Sequence, residues 1–172
     1  VPARPAVLPL AAAAAVLLAA CSSEVAGTAS PPQGPSGETE FVRGGGCGEV
    51  FLWAASESGE VVVGASVDVV GRPAGEPSEY TVELPDPDVL VTVRTGTGDL
   101  TENLCTDVIL GPEPTLIQDA VAGTVHLTVD PPGEDCGDSE GRLRIEGLVA
   151  EDGTEFGPIE AETGLVGCNV GG

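Results

Sequence analysis

The sequence has no lysine, one histidine, one tryptophan, one tyrosine and three phenylalanines in 172 residues. Each shortage removes a class of function. Without lysine, the basic side chains are 6 Arg against 28 Asp and Glu, for a net charge of -22. A surface that acidic repels phosphate backbones, so nucleic acid is excluded as a partner. With His126 as the only histidine, any site built on two His is ruled out, including the His-Glu-x-x-His zinc hydrolases. Sugar-binding surfaces lean on exposed rings, and here Phe41, Phe51, Trp53, Tyr80 and Phe156 are mostly needed for a core. Helical periodicity is absent, and no apolar run reaches the roughly 20 residues of a spanning helix.

What is present begins with an uncharged apolar run from Val7 to Ala20, interrupted by Pro9 and preceded by Arg4. A basic residue, an apolar stretch of this length and a small-residue site make an export signal. Its end, Leu18-Ala19-Ala20-Cys21, resembles the lipobox of bacterial lipoproteins, and a Ser-rich segment follows at once. The resemblance implies cleavage before Cys21 and a diacylglycerol on its sulfur. Stable anchoring takes two acyl chains, which a diacylglyceryl cysteine supplies. Residues 1–20 then form the signal peptide, and the protein is held on the extracytoplasmic face of the cell membrane. The Ala, Val, Gly and Arg-only bias is similar to that of actinobacterial lipoproteins.

Residues 21–40 are rich in Ser, Pro, Gly and Thr, which cannot bury enough apolar surface to offset ordering entropy. They read as a tether, leaving 41–172 as one domain. Within it, Val50 to Ala55 is a continuous apolar run that fits a strand buried on both faces. Val61, Val63, Ala65, Val67 and Val69 fall on one face, with Glu60, Gly64, Ser66 and Asp68 among those on the other. Tyr80, Val82 and Leu84 alternate in the same way, then Val89, Val91 and Val93, with Pro85-Asp86-Pro87-Asp88 between them as a hairpin turn. Residues 100–122 are irregular, with room for one short strand or helical turn. Val125, Leu127 and Val129 alternate again, as do Leu143 and Ile145. Glu151-Asp152-Gly153-Thr154 marks a hairpin leading to a last strand over 156–166, where Pro158 implies a late start or an edge position.

Seven short strands without helical periodicity predict an all-β domain, an antiparallel β-sandwich of immunoglobulin-like appearance, with a small barrel as the alternative. Cys47, Cys105, Cys136 and Cys168 are an even set in an oxidising compartment, so two disulfides are expected. If consecutive strands run alternately up and down from Cys47, four of them return the chain to the Cys47 end by Thr95. That order pairs Cys47 with Cys105 and Cys136 with Cys168.

Catalytic chemistry is thin. Ser66, in Gly64-Ala65-Ser66-Val67-Asp68, lacks the closing glycine of a nucleophile elbow and lies mid-strand. His126 shares a strand face with Thr124 and Thr128, which points to a surface histidine. The loop from Asp130 to Glu140 gathers Asp130, Glu134, Asp135, Asp138 and Glu140 around Cys136, a set of oxygen ligands that calcium could take, without EF-hand spacing. A solvated acidic loop is the plainer reading. Arg142 and Arg144 follow as a small positive spot that could pair with Glu146 or meet a partner. The sequence therefore predicts a lipid-anchored, non-enzymatic domain with an interaction or structural role in the cell envelope. Calcium or solute binding through the acidic loop is the alternative, and an enzyme comes third.

Overall fold

The computed structural model describes residues 39–48, 50–67, 77–131 and 140–163. They form eight strands: β1 (Phe41–Cys47), β2 (Phe51–Ser56), β3 (Val61–Val67), β4 (Ser78–Glu83), β5 (Val89–Thr95), β6 (Leu116–Val129), β7 (Gly141–Ala150) and β8 (Ile159–Thr163). The one helical element among the described residues is a 3₁₀ turn, Leu100–Asn103. All strand pairings are antiparallel, in the order β1-β2-β3-β5-β6-β7-β8, with β4 also paired to β6. The all-β, antiparallel expectation holds, and the arrangement approaches a barrel.

The long strand β6 makes that shape possible. Its first half pairs with β5 from Leu116 to Asp119, and its second half pairs with β4 from Thr124 to Val129. Between these halves the register against β7 shifts at Ala120/Ala122 and again at Ala122/Thr124. Such bulges bend a strand and sharpen its twist, letting one strand serve two sheets. Gly123 sits in the bend at φ 137°, a conformation that side-chain-bearing residues rarely adopt. A Cβ there would also lie 3.2 Å from the Leu148 Cα.

The sheet containing β1, β2, β3, β5 and the start of β6 faces the sheet of β4, the end of β6, β7 and β8. Between them lies an aliphatic core: Leu52, Ala54, Val63, Ala65, Val91 and Val93 from one side meet Val125, Leu127, Leu143, Ile145 and Ile159 from the other. The alternations expected for β5, for β6 from Val125 to Val129 and for β7 are those seen, and Val61, Val63, Ala65 and Val67 of β3 join the same core, while Val69 lies outside the described residues. Phe156 joins this core and packs edge-on against Phe41, ring centroids 6.2 Å apart. At the β1/β8 seam Gly44 is so close to β8 that a Cβ on it would lie 2.9 Å from the Ala161 Cβ.

Four expectations are corrected. Residues 80–84 and 89–94 form no hairpin: β4 pairs with β6, while β5 pairs with β3 and β6. Two prolines in Pro85-Asp86-Pro87-Asp88 supply no N–H to a ladder, so the link carries the chain from one sheet to the other. Phe41–Cys47, a stretch to which the sequence assigned no strand, is a full strand despite Gly44-Gly45-Gly46. Residues 116–122, placed in the irregular region, are the first half of β6; Leu116, Ile117 and Val121 are all exposed there, so no period of two marks the strand. Finally, β3 is buried on both faces: Val62 lies with Ala55, Leu100 and Leu104 in a second small cluster on the outer side of its sheet. Elsewhere the β2 run is buried at Leu52, Ala54 and Ala55 and half-buried at Phe51 and Trp53, so its outer face is covered only in part, and β8 starts only after Pro158.

If Gly123 sets the bend that joins the two sheets, Gly123→Ala should destabilise the domain by about 1–3 kcal/mol. Urea unfolding checks this: the midpoint should fall with the slope unchanged. An unchanged midpoint would place the bend elsewhere.

Candidate functional site: a clipped strap with an apolar tip

Between the end of β5 and the start of β6 the chain makes a 20-residue excursion, 96–115. Connections this long without strands of their own are uncommon in compact domains, and are usually functional or disordered. This one is held down along its length. Gly96 N–H donates to the Glu60 carbonyl (3.0 Å), and Leu100 N–H to the Gly59 carbonyl (3.0 Å). Leu100 and Leu104 press onto Ala55 and Val62, with Phe51 and Trp53 alongside. The strap thus dries the outer face of a sheet that would otherwise expose valine to water.

Its first clip is polar. Asp99 caps the 3₁₀ turn, its Oδ1 accepting from Thr101 N–H (3.0 Å) and Thr101 Oγ1 (2.6 Å). Its Oδ2 takes the Arg43 guanidinium from β1 at 2.7 Å, and Arg43 also donates to Thr101 Oγ1 at 2.6 Å. The Thr101 hydrogen bonds, with Arg43 assisting, outweigh burial and hold the Asp99 carboxyl below the usual carboxylate range. The second clip is covalent: Cys47 and Cys105 are bridged, Cα atoms 5.6 Å apart.

The expected pairing of Cys47 with Cys105 is therefore present, although the route assumed for it is not. β5 runs antiparallel to β3, which puts Thr95 beside Val61, at the end of the sheet away from Cys47. The strap itself carries Cys105 back across the sheet to Cys47. Cys136 and Cys168, and the bridge expected between them, lie outside the described residues.

Beyond Cys105, which adopts a left-handed φ of 59°, the chain doubles back through Val108-Ile109-Leu110. Asn103 shapes this turn. Its Oδ1 accepts from the Leu110 N–H (2.8 Å) and the Gly111 N–H (2.7 Å), and its Nδ2 donates to the Gly111 carbonyl (3.0 Å) and the Pro112 carbonyl (2.7 Å). Both donors and both acceptor positions of the carboxamide are used. Thr106 Oγ1 braces the other limb through Val108 N–H at 3.2 Å. The result is a fixed turn displaying three aliphatic side chains that are 62%, 71% and 70% exposed. Such a tip can do no chemistry on a substrate, but it can be buried by a partner.

The residues singled out from the sequence lie elsewhere. His126 and Thr128 of β6, Arg142 and Arg144 of β7, and Glu160 and Glu162 of β8 line an open concavity of about 360 Å³ on the outer face of the second sheet. Arg142 is within 3.5 Å of both Glu140 and Glu162, and Arg144 is 2.6 Å from Glu146 and 3.8 Å from Glu160. His126 Nδ1 is 3.2 Å from the Thr81 hydroxyl, a strand-surface position as expected. Ser66, expected mid-strand, is the penultimate residue of β3, between Phe51 and Leu90. Of the five calcium candidates, Asp130 and Glu140 stand at the base of the acidic loop, joined by an Asp130 N–H to Glu140 carbonyl bond of 2.9 Å. Glu134, Asp135 and Asp138 lie outside the described residues, as does Cys21. Among the described residues no three His, Cys, Asp or Glu side chains gather as a metal site.

Sequence reasoning passed over the tip. The signal was there: three consecutive aliphatic residues inside a stretch of Pro, Gly and acidic residues, shortly after an Asn and a Cys. No periodicity rule picks out such a run, since it belongs to no strand.

The polar clip has a pH signature. A carboxyl whose folded pKa is lowered adds stability that is complete above its unfolded value, about 3.9, and is lost as pH falls through the folded value. Asp99→Asn should therefore be less stable than the parent by roughly 0.5–1 kcal/mol at pH 7. The two melting curves should converge as pH falls through the lowered folded value. A difference between the two proteins that persists at low pH would mean that the Asp99 charge, held by Thr101 and Arg43, is not what the substitution removes. Comparisons of the chain with protein-family models, with curated proteins and with solved structures find no match.

Proposed function

We propose that this is a lipid-anchored binding domain of the cell envelope, non-enzymatic, joined through Cys21 and a Ser, Pro and Gly-rich tether to the extracytoplasmic face of the membrane. The anchoring rests on Leu18-Ala19-Ala20-Cys21 and the apolar run before it. The start of β1 at Phe41 fits a tether ending near Glu40. The observation that carries the binding role is the rigid, solvent-facing tip Val108-Ile109-Leu110. Monomeric domains seldom display contiguous large aliphatic side chains, and those that do generally use them for contact. In its layering we read the domain as an immunoglobulin-like sandwich, two antiparallel sheets facing each other over one core.

Anchoring is tested by labelling with a radioactive or alkyne-bearing fatty acid in a host that processes lipoproteins. The parent should take up label and sediment with membranes, Cys21→Ser should do neither, and Cys47→Ser should keep the label. Label on the Cys21→Ser protein would defeat the reading.

A further inference from the structure

The chemistry around the tip narrows what it can meet. Glu102, which lies against Gly111, and Asp107, next in the chain to Val108, flank Val108-Ile109-Leu110; both are exposed and neither enters an ion pair among the described residues. They sit on a chain of net charge -22. Anionic lipid headgroups and a second copy of this chain would both be repelled by that rim. An apolar surface edged by Lys or Arg would be attracted by it and oriented by it. The concavity lined by Arg142 and Arg144 offers no comparable opportunity, because each guanidinium there already lies against two glutamates.

Resting on the binding role proposed above, we infer that the tip docks on a partner protein through an apolar stripe bordered by basic side chains, of the kind a basic amphipathic helix presents. Ile109 and Leu110 enter the stripe, and Glu102 and Asp107 face its basic edge. The Asn103 hydrogen bonds and the Cys47–Cys105 bridge have already fixed the turn, so little ordering is left to oppose binding. With three side chains at its centre, the contact is small and reversible, and its specificity comes from the sign of the rim.

The test uses the full chain carrying Cys21→Ser, so that lipid plays no part, titrated with a fluorescent amphipathic helical peptide of Leu and Lys. A Leu and Glu peptide of the same pattern serves as comparison. The chain should bind the Lys peptide saturably, more weakly at high salt, and ignore the Glu peptide. Ile109→Ser with Leu110→Ser should weaken binding about tenfold or more, with the melting temperature and the Cys47–Cys105 bridge unchanged because both side chains are exposed. Glu79→Gln, on a strand distant in sequence, should bind as the parent does. Equal affinity of parent and tip variant, or no saturable binding, would overturn the inference. So would tip-dependent binding to phosphatidylcholine or phosphatidylglycerol vesicles without peptide binding, or a tip-dependent dimer, since each would assign a different occupant. None of these outcomes bears on fatty-acid labelling at Cys21, so failure of the docking and failure of the anchoring are read separately.

Discussion

The bridge between Cys47 and Cys105 is the constraint on which the outer side of the first sheet depends. It ties the end of β1 to the middle of a 20-residue strap, a sequence separation of 58. Closing a loop of that size restricts the unfolded chain by about 4 kcal/mol in the chain-entropy account. In the folded protein its effect is local. With Arg43 and Asp99 holding the strap near its start and the disulfide holding it after the 3₁₀ turn, Leu100 and Leu104 are kept over Val62 and Ala55. Asn103, between those two leucines, is left facing the returning chain, where its carboxamide closes the turn. Stability of the sheet and display of the tip are thus two results of one clip.

That arrangement also accounts for an unusual burial pattern. An antiparallel strand with one face in a core ordinarily leaves the other to water. Here β3 is buried on both faces because two separate apolar layers cover it: the inter-sheet core on one side and the strap on the other. The large aliphatic side chains left exposed include the three at the turn and Leu116 and Ile117 at the start of β6. The domain hides valine with a loop and then exposes aliphatic residues at that loop's tip, where their position is fixed.

The inward alternation in Val61, Val63 and Ala65, in Val125, Leu127 and Val129, and in Leu143 and Ile145 was legible because a period of two survives wherever one face meets a core. The Asp152-Gly153 hairpin was legible for the same local reason, its Gly153 at φ 85°. What could not be read was any feature set by distant partners. β1 has three consecutive glycines and becomes a strand only because β2 supplies its ladder. Residues 116–122 turn Leu116, Ile117 and Val121 to solvent and are held by β5 and β7. The Cys47–Cys105 pairing was correctly expected from a wrong strand route, because a strap returning across the sheet reaches the same end as a strand would. At the tip, composition was visible and conformation was not: the hydrogen bonds of Asn103 join residues seven to nine positions apart in a pattern no short motif encodes.

The central claim is that the disulfide-clipped strap holds the tip in one conformation. Amide hydrogen exchange measures this directly at Leu110 and Gly111, whose N–H groups donate to the Asn103 side chain. In the oxidised parent both amides should exchange slowly. In Cys105→Ser they should exchange at rates near those of an unstructured chain, while amides of the β2–β3 ladder stay protected. Protection at Leu110 and Gly111 that is the same in both proteins would contradict the account.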